Sequence, residues 1–206
     1  MKSILFVCLL APLLASSQTR ITVHTGANFP SIEFLSHTIN FRTDLRDDWY
    51  PGVNLGVGLQ FPILNWLEIS PQFEYSHYFY ERFYIGTYAQ LRSFLSTSGQ
   101  PSHAYRFMIE GRLYDRGSSA GSVYFSTGLA YVLEKLGTIT QTWSDYQEPL
   151  MYQPPGRHFF AHTLGLGGLI RLSDALFLEL SLKAYTNYDD PWDLSTNLGV
   201  SFILPK

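Results

Sequence analysis

Strict alternation of apolar and polar residues is the feature that most constrains the fold of this chain. Residues 176–186 read LFLELSLKAYT, in which four leucines and Ala184 share one parity. Successive side chains of a β-strand point to opposite faces, so this period predicts a strand with one apolar and one polar face. A helix would scatter the same leucines around its circumference. The pattern alone leaves open whether the apolar face covers a protein core or contacts lipid.

Seven further segments repeat this alternation. Each is about 10–15 residues long, whereas strands of soluble proteins are usually about 5–6 residues long. We therefore predict eight strands, the one at 176–186 and those at Arg20–Phe29, Gly52–Pro62, Trp66–Tyr80, Tyr105–Tyr114, Ser122–Glu134, His158–Leu172 and Leu194–Leu204.

The connections between these strands alternate in length. Short turns are predicted at Pro62–Asn65, Asp115–Gly121 and Ser173–Ala175, and longer irregular connections at Pro30–Pro51, 81–104 and Lys135–Arg157, with Asp189–Asp193 a short member of the second set. Bacterial outer-membrane barrels have short periplasmic turns and longer extracellular loops. Residues 83–95 also alternate, and the count of eight strands treats them as loop.

Charged residues fall on one parity only. In all eight segments the apolar parity carries no Asp, Glu, Lys or Arg. An Arg or Lys on a lipid-facing position costs about 2–4 kcal/mol at the bilayer midplane, so lipid contact favours this sorting. An eight-stranded barrel is just wide enough for side chains to fill it. We expect an internal polar network formed by Glu68, Glu74, Arg106, Glu110, Arg112, Glu134, Arg171, Glu179 and Lys183.

The apolar parity predicts the lipid-facing set. It consists of Leu55, Val57, Leu59, Ile69, Phe73, Phe107, Ile109, Leu129, Leu178, Leu180, Leu182, Leu198, Val200 and Phe202. Aromatic residues gather near both ends of the strands, as they do at the two interfaces of a bilayer. We assign the aromatic belts to Trp49, Tyr50, Trp66, Tyr80, Tyr105, Tyr188 and Trp192, and expect Tyr78 to lie with the loop-end group.

Composition excludes several function classes. Charged residues make up 15% of the chain, against about 25% in typical soluble domains. The formal net charge is −3 and no run of Lys or Arg occurs, which argues against nucleic-acid binding.

The N-terminal residues MKSILFVCLLAPLLASSQ have the pattern of a secretory signal peptide. We predict a signal over residues 1–17 and a barrel domain over residues 18–206. Cys8 lies in the signal, so the remaining chain has no thiol for a nucleophile, a disulfide or a cysteine metal site. The expected location is the outer membrane.

Two soluble folds explain the alternation as well. A β-sandwich or a ligand-binding, lipocalin-like barrel would place the apolar parity in its core. These alternatives account less well for the long segments, the glycine-rich polar faces and the scarcity of lysine on the face that would meet water.

Motifs that suggest chemistry are weak. GSSAG (117–121) matches the nucleophile-elbow pattern, but that motif needs a following helix and here lies in a turn between strands. His158 and His162 are about 13 Å apart on a strand, too far for one metal ion. We expect no catalytic, cofactor-binding or metal-binding residues. A lipid-modifying barrel enzyme stays an alternative, with His77 and Glu81, or His162 and loop acids, as its candidates; Asp47–Asp48 and Asp189–Asp190 are candidate loop sites for divalent cations.

Three stretches resemble a known family. They are PGVNLGVGLQFPILNWLEISPQFEYSHY (51–78), VHTGANFPSIEF (23–34) and the closing STNLGVSFILPK (195–206). They are similar to the Bacteroidetes-type outer-membrane β-barrel domain, the PorT-like group. The resemblance implies an outer-membrane barrel of the Gram-negative envelope, linked to protein secretion in some members, whose last strand is recognised by the barrel-assembly machinery.

The sequence thus predicts an all-β, eight-stranded antiparallel up-and-down transmembrane barrel with no cofactor. Its expected role is non-catalytic, with a filled interior and long extracellular loops that contact a protein partner or surface. Expected partners are outer-membrane lipid and lipopolysaccharide, and the assembly machinery during insertion. A small channel is the other membrane alternative.

Overall fold

The computed structural model describes residues 19–29, 51–79, 84–85, 95–115, 121–143, 148–153, 155–186 and 193–204. Within these ranges the chain forms twelve strands: β1 Arg20–Phe29, β2 Gly52–Leu64, β3 Leu67–Tyr78, β4 Tyr84–Ile85, β5 Leu95–Gly99, β6 Ser102–Tyr114, β7 Gly121–Lys135, β8 Ile139–Trp143, β9 Leu150–Tyr152, β10 Arg157–Arg171, β11 Leu176–Thr186 and β12 Asp193–Ile203. Among the described residues, no helix has the length and hydropathy needed to span a bilayer.

Eight of these strands close into a barrel in the order β1-β12-β11-β10-β7-β6-β3-β2. Every neighbouring pair is antiparallel, and the first strand pairs with the last, with Arg20 opposite Ile203. The predicted eight-stranded antiparallel barrel is confirmed. The bounds of β1 and β11 are those predicted, and β6 begins three residues earlier, at Ser102 instead of Tyr105.

The two ends of the barrel differ. We call the end with the close connections β2–β3, β6–β7 and β10–β11 the turn end, and the opposite one the loop end. The ladder between β6 and β7 continues past the loop end into β5 and β8, because the Gln100 amide donates to the Thr138 carbonyl at 2.9 Å. Strands β4, β5, β8 and β9 form a separate four-stranded sheet there.

This second sheet corrects the sequence prediction, which treated residues 83–95 and Lys135–Arg157 as irregular loop. The segments involved are two to five residues long. Residues 83–95 do alternate, but runs this short do not let alternation distinguish a strand from a loop. The four strands are ordered by the ladder that reaches them from β6 and β7. The barrel count of eight is unchanged, since none of these four strands joins the barrel wall.

Side chains on the two faces of the wall are of opposite character. Outward positions carry exposed aliphatic residues, such as Ile109 at 64% exposure and Leu180 at 50%. Inward positions carry polar and charged residues, such as Glu74 and Glu110, which are fully buried. Most large apolar side chains of the barrel wall therefore lie outside, and most charged ones lie inside.

Glycines make room for the long inward side chains. A Cβ atom on Gly167 would fall on the ring of Tyr124, and one on Gly56 would fall on the imidazole of His24. Gly58 stands in the same way beside Gln72. The glycine-rich polar parity is thus a packing requirement of the interior.

Substituting Gly167 by Ala is expected to lower the free energy of unfolding by about 1–3 kcal/mol, because the buried Tyr124 ring must move. The adjacent Gly168 is the matched control. Its added Cβ would meet only the Ser122 carbonyl oxygen, at 3.7 Å, an ordinary contact. Urea unfolding of both variants in lipid vesicles measures the difference, and equal losses for Gly167→Ala and Gly168→Ala would contradict the packing argument.

Candidate functional site: the charged interior of the barrel

The loop end of the interior centres on Arg106. Its guanidinium lies 3.0 Å from Glu74 and 3.4 Å from Asp193, and it also donates to the Tyr78 hydroxyl. The Tyr185 ring lies 4.7 Å from the guanidinium carbon, within the range of a cation–π contact. Tyr185 in turn donates to Glu74 at 3.3 Å. Arg106 is 1% exposed, so its charge is satisfied entirely by these neighbours.

The middle of the interior is a triangle of polar groups. Lys183 Nζ lies 3.1 Å from Glu110 Oε1 and donates to Gln72 Oε1 at 2.6 Å. The amide of Gln72 donates to the other Glu110 oxygen at 2.7 Å. Lys183 comes from β11 and Glu110 from β6, which are not neighbouring strands, so the triangle spans the barrel from wall to wall.

On the turn-end side of this triangle, Arg112 of β6 and Glu179 of β11 form a second pair that crosses the barrel. Arg112 Nη1 lies 3.0 Å from Glu179 Oε1, and Arg112 Nε lies 3.8 Å from Glu110 Oε2. Glu179 also accepts hydrogen bonds from Tyr124 at 2.6 Å and from Gln60 at 3.0 Å. Because Glu110 contacts both cations, the middle and lower groups form one connected network.

Two ion pairs close the ends of the interior. At the turn end Arg20 pairs with Glu68, which accepts a hydrogen bond from Tyr114 at 2.7 Å. At the loop end Arg157 pairs with Glu134, directly opposite in the β7–β10 ladder. Each interior carboxylate named here lies within 4.0 Å of a cation, so these groups are held as ion-pair partners and not as free bases.

Eight of the nine residues predicted for the interior network lie there, all buried: Glu68, Glu74, Arg106, Glu110, Arg112, Glu134, Glu179 and Lys183. Arg171 does not, and its assignment was wrong. It has the inward parity, but it is the last residue of β10, and its side chain is exposed at the turn end, where it pairs with Asp174. The Arg171 side chain turns to the exposed Asp174 three residues further on, so its charge is met outside the barrel.

The sequence prediction missed three charged members of the interior, Arg20, Arg157 and Asp193. Each has the inward parity of its strand, since Arg20 shares the parity of Thr22, and Asp193 shares that of Ser195. The signal was present and was overlooked because these residues stand at strand ends. His24 was placed on the inward parity, and the structure puts its Nε2 3.5 Å from Glu74.

The fourteen residues predicted to face lipid all point outward. Most are exposed, and Phe73, Leu178 and Val200 are partly covered by neighbours on the same face. Of the predicted aromatic belts, Trp66 and Tyr105 are exposed on the outer surface, at opposite ends. Trp49, Tyr50, Tyr80, Tyr188 and Trp192 lie outside the described residues. Tyr78 was wrongly grouped with them, because its inward parity places it inside against Arg106.

The candidate chemical motifs form no site in the described part of the chain. There, no group of three His, Cys, Asp or Glu residues is placed to hold a metal ion. Gly121 of the GSSAG motif begins a strand, and the rest of that motif lies outside the described residues. His158 and His162 lie on the outward face of β10, and His77 on that of β3. Glu81 and both Asp pairs fall outside the described ranges, as does the predicted signal.

Comparisons with known proteins bear on the fold. The crystal structure of Neisserial surface protein A matches 91% of this chain and 98% of its own, with a TM-score of 0.52 at 9% identity. The N-terminal β-barrel domain of Pseudomonas aeruginosa OprF gives the same coverage, a TM-score of 0.50 and 13% identity. The chain shares the fold of these barrels. No protein-family model matches it, and no curated protein is similar to it in sequence, so the resemblance to the PorT-like group stays a prediction.

Proposed function

We propose that this chain is an integral outer-membrane barrel with a non-catalytic, side-chain-filled interior, and that its loop end carries the surface that binds a partner. The observation that carries the proposal is the inverted distribution of polarity. Leucine, valine, isoleucine and phenylalanine cover the outside, and buried ion pairs fill the inside.

A soluble barrel or sandwich would need the opposite arrangement. Exposed apolar patches on soluble monomers rarely exceed a few hundred Å². Here the outward positions of all eight barrel strands are apolar, aromatic or small for most of their length, and in the described residues Lys135 is the one outward position with a permanent charge. A hydrocarbon environment stabilises such a surface, and water does not.

The filled interior argues against a channel. Cross-barrel contacts between Lys183 and Glu110 and between Arg112 and Glu179 occupy the centre at two levels. Side chains at these levels are buried, and glycines opposite them leave no spare volume for a Cβ atom. Each interior carboxylate named above is paired with a cation, which argues against acid–base catalysis in the interior.

The sheet at the loop end is the proposed interaction surface. Strands β4 and β9 are its outer strands, each bonded on one side only within the described residues. An edge strand offers unpaired backbone donors and acceptors to an added strand of another protein. This location fits a protein partner outside the cell, and the assembly machinery would act on the barrel during insertion.

Gel mobility in SDS tests the barrel in its membrane. The protein extracted from membranes is expected to run at different apparent masses before and after boiling, because a closed barrel with internal ion pairs resists SDS until heated. The protein should also stay with the membrane fraction after an alkaline wash. Recovery as a soluble monomer with a single mobility would contradict the proposal and favour the soluble fold.

Two further readouts separate the membrane alternatives. Discrete ion conductance in planar bilayers would contradict the filled interior and favour a small channel. Altered lipid A in a host that expresses the protein would favour a lipid-modifying enzyme. We expect neither.

A further inference from the structure

One row of residues breaks the apolar outer surface of the barrel. In the ladders that join β3, β6 and β7, His77 lies opposite His103, and His103 lies opposite Lys135. All three residues have the outward parity of their strands and stand at the loop end. Neighbouring strands are about 4.8 Å apart, so the row spans about 10 Å across the wall. We call these three residues the basic row.

The row is held in place by aromatic neighbours. The imidazole centroids of His77 and His103 are 5.1 Å apart, and the Tyr75 hydroxyl lies 2.7 Å from Nδ1 of His103. This contact uses one ring nitrogen and leaves Nε2 as the other polar atom of the ring. Tyr75 and Tyr105, whose rings are 5.4 Å apart, form the next row toward the turn end. Lys135 is exposed, and both histidines are partly exposed.

Such a row is not a general property of this barrel. On the other side of the wall, the described outward positions of β11, β12, β1 and β2 carry no ionisable side chain at all. The described outward positions of β3, β6, β7 and β10 carry Lys135 and four histidines, and no carboxylate. If these basic residues served only to contact water at the interface, we would expect them around the whole barrel. Among the described residues they lie on four neighbouring strands only.

Polarity falls steadily along β6 below the row. Its outward positions read His103, Tyr105, Phe107 and Ile109, from an imidazole through aromatic rings to an aliphatic chain. The ring of Phe107 packs against that of Phe73 of β3, with centroids 5.0 Å apart, and Ile109 is exposed. A lipid lying along the wall has the same order of groups, with a charged head, an interfacial region and an acyl chain.

We propose that the basic row binds the phosphate of a lipid headgroup in the leaflet that surrounds the loop end. This inference rests on the proposed membrane location. Lys135 supplies the positive charge, His77 and His103 supply N–H donors, and the tyrosines and phenylalanines below contact the rest of the lipid. Hydrogen bonds to a charged group are stronger than neutral ones, which suits a phosphate. Metal binding by the two histidines is disfavoured, because Lys135 repels a cation and no third ligand is present among the described residues.

Binding of dodecyl phosphate in dodecyl maltoside micelles tests the proposal. Histidine ring resonances, followed by NMR, should shift for His77 and His103 on titration of the wild-type protein. In Lys135→Gln and His103→Gln the affinity should fall at least about tenfold, the effect of losing one charge-assisted hydrogen bond. Arg171→Gln, which removes an exposed cation at the turn end, is the matched control and should bind as the wild type does.

Each probe and each variant tests one alternative explanation of the binding. Equal binding of dodecanol would overturn a phosphate site, and equal binding of inorganic phosphate would overturn a lipid as its source. Equal weakening by Arg171→Gln would reduce the effect to net charge. Tight Ni²⁺ binding lost in His77→Gln, with no binding of dodecyl phosphate, would replace the lipid by a metal. Variants that keep the heat-dependent gel shift are folded barrels, so weaker binding by them supports the inference. If the wild-type protein shows the gel shift but does not bind dodecyl phosphate, the inference is overturned and the proposed membrane location stays intact.

Discussion

Replacing Arg106 by Met is expected to lower the free energy of unfolding by about 3–5 kcal/mol, the usual cost of removing one partner from a buried ion pair. The change leaves Glu74 without its 3.0 Å partner and removes a contact from Asp193 and Tyr78. Glu74 in the interior and Asp193 at the loop end would then each have lost the charge of Arg106, in a barrel from which water is largely excluded. Urea unfolding in lipid vesicles, followed by tryptophan fluorescence, measures the loss.

Two variants show whether the loss comes from the broken pair. Arg171→Met removes a cation from an exposed pair with Asp174, and should cost less than about 1 kcal/mol. Adding Glu74→Gln to Arg106→Met removes the uncompensated negative charge and should recover part of the stability, as a double-mutant cycle would record. If Arg106→Met were as mild as Arg171→Met, the interior ion pairs would not contribute to stability as argued.

Replacing Leu180 by Arg is expected to cost about 2–4 kcal/mol and to reduce the amount of protein in the membrane fraction. Leu180 lies near the middle of β11, opposite Leu198 on one side and Gly168 on the other, and half of its surface is exposed on the outer face. An arginine there would meet the hydrocarbon core. Unfolding from vesicles and membrane fractionation of expressing cells provide the two measurements.

The next residue in the chain is the natural control. Ser181 has the inward parity, and Ser181→Ala is expected to be mild, since a small side chain is replaced by one of similar volume. Equal effects at positions 180 and 181 would show that the two faces do not meet different media. That outcome would contradict the proposed contact of the outer face with lipid.

The barrel itself could be predicted from the sequence because its evidence is redundant. Each of eight segments is long enough for a period of two to be unmistakable, and the alternation of connection lengths agrees with it. The parity rule also identifies most of the interior, since a charged residue in the middle of such a strand has only one face available to it. Lys183 and Glu179 were assigned on this ground and lie in the interior.

Which charges pair with each other could not be predicted. Glu74 and Arg106 face each other on neighbouring strands, β3 and β6, but Lys183 reaches Glu110 across the barrel. Cross-barrel partners depend on the tilt and stagger of the closed wall, which are properties of all eight strands together. Parity gives the face of a residue and not its height, and height decides both the partner and the contact with water. Arg171 was misplaced for this reason.

The second sheet could not be predicted for a different reason. Strands of two to five residues carry too little alternation to be distinguished from loop. Their order comes from hydrogen bonds that continue an existing ladder, as between Gln100 and Thr138. A sequence pattern describes what a segment prefers by itself, and these segments take their structure from a neighbour.

The seam between β1 and β12 has a consequence for the order in which the molecule is built. Arg20 of the first barrel strand pairs with Ile203 of the last, and the Leu204 amide donates to the Thr19 carbonyl at 2.8 Å. Until that seam closes, two rows of backbone groups have no partner. Arg112 of β6 likewise gains its partner Glu179 only when β11 is in place. A wall in which β12 has not yet joined β1 therefore exposes unpaired backbone groups to lipid, and the barrel is complete only when its first and last strands meet.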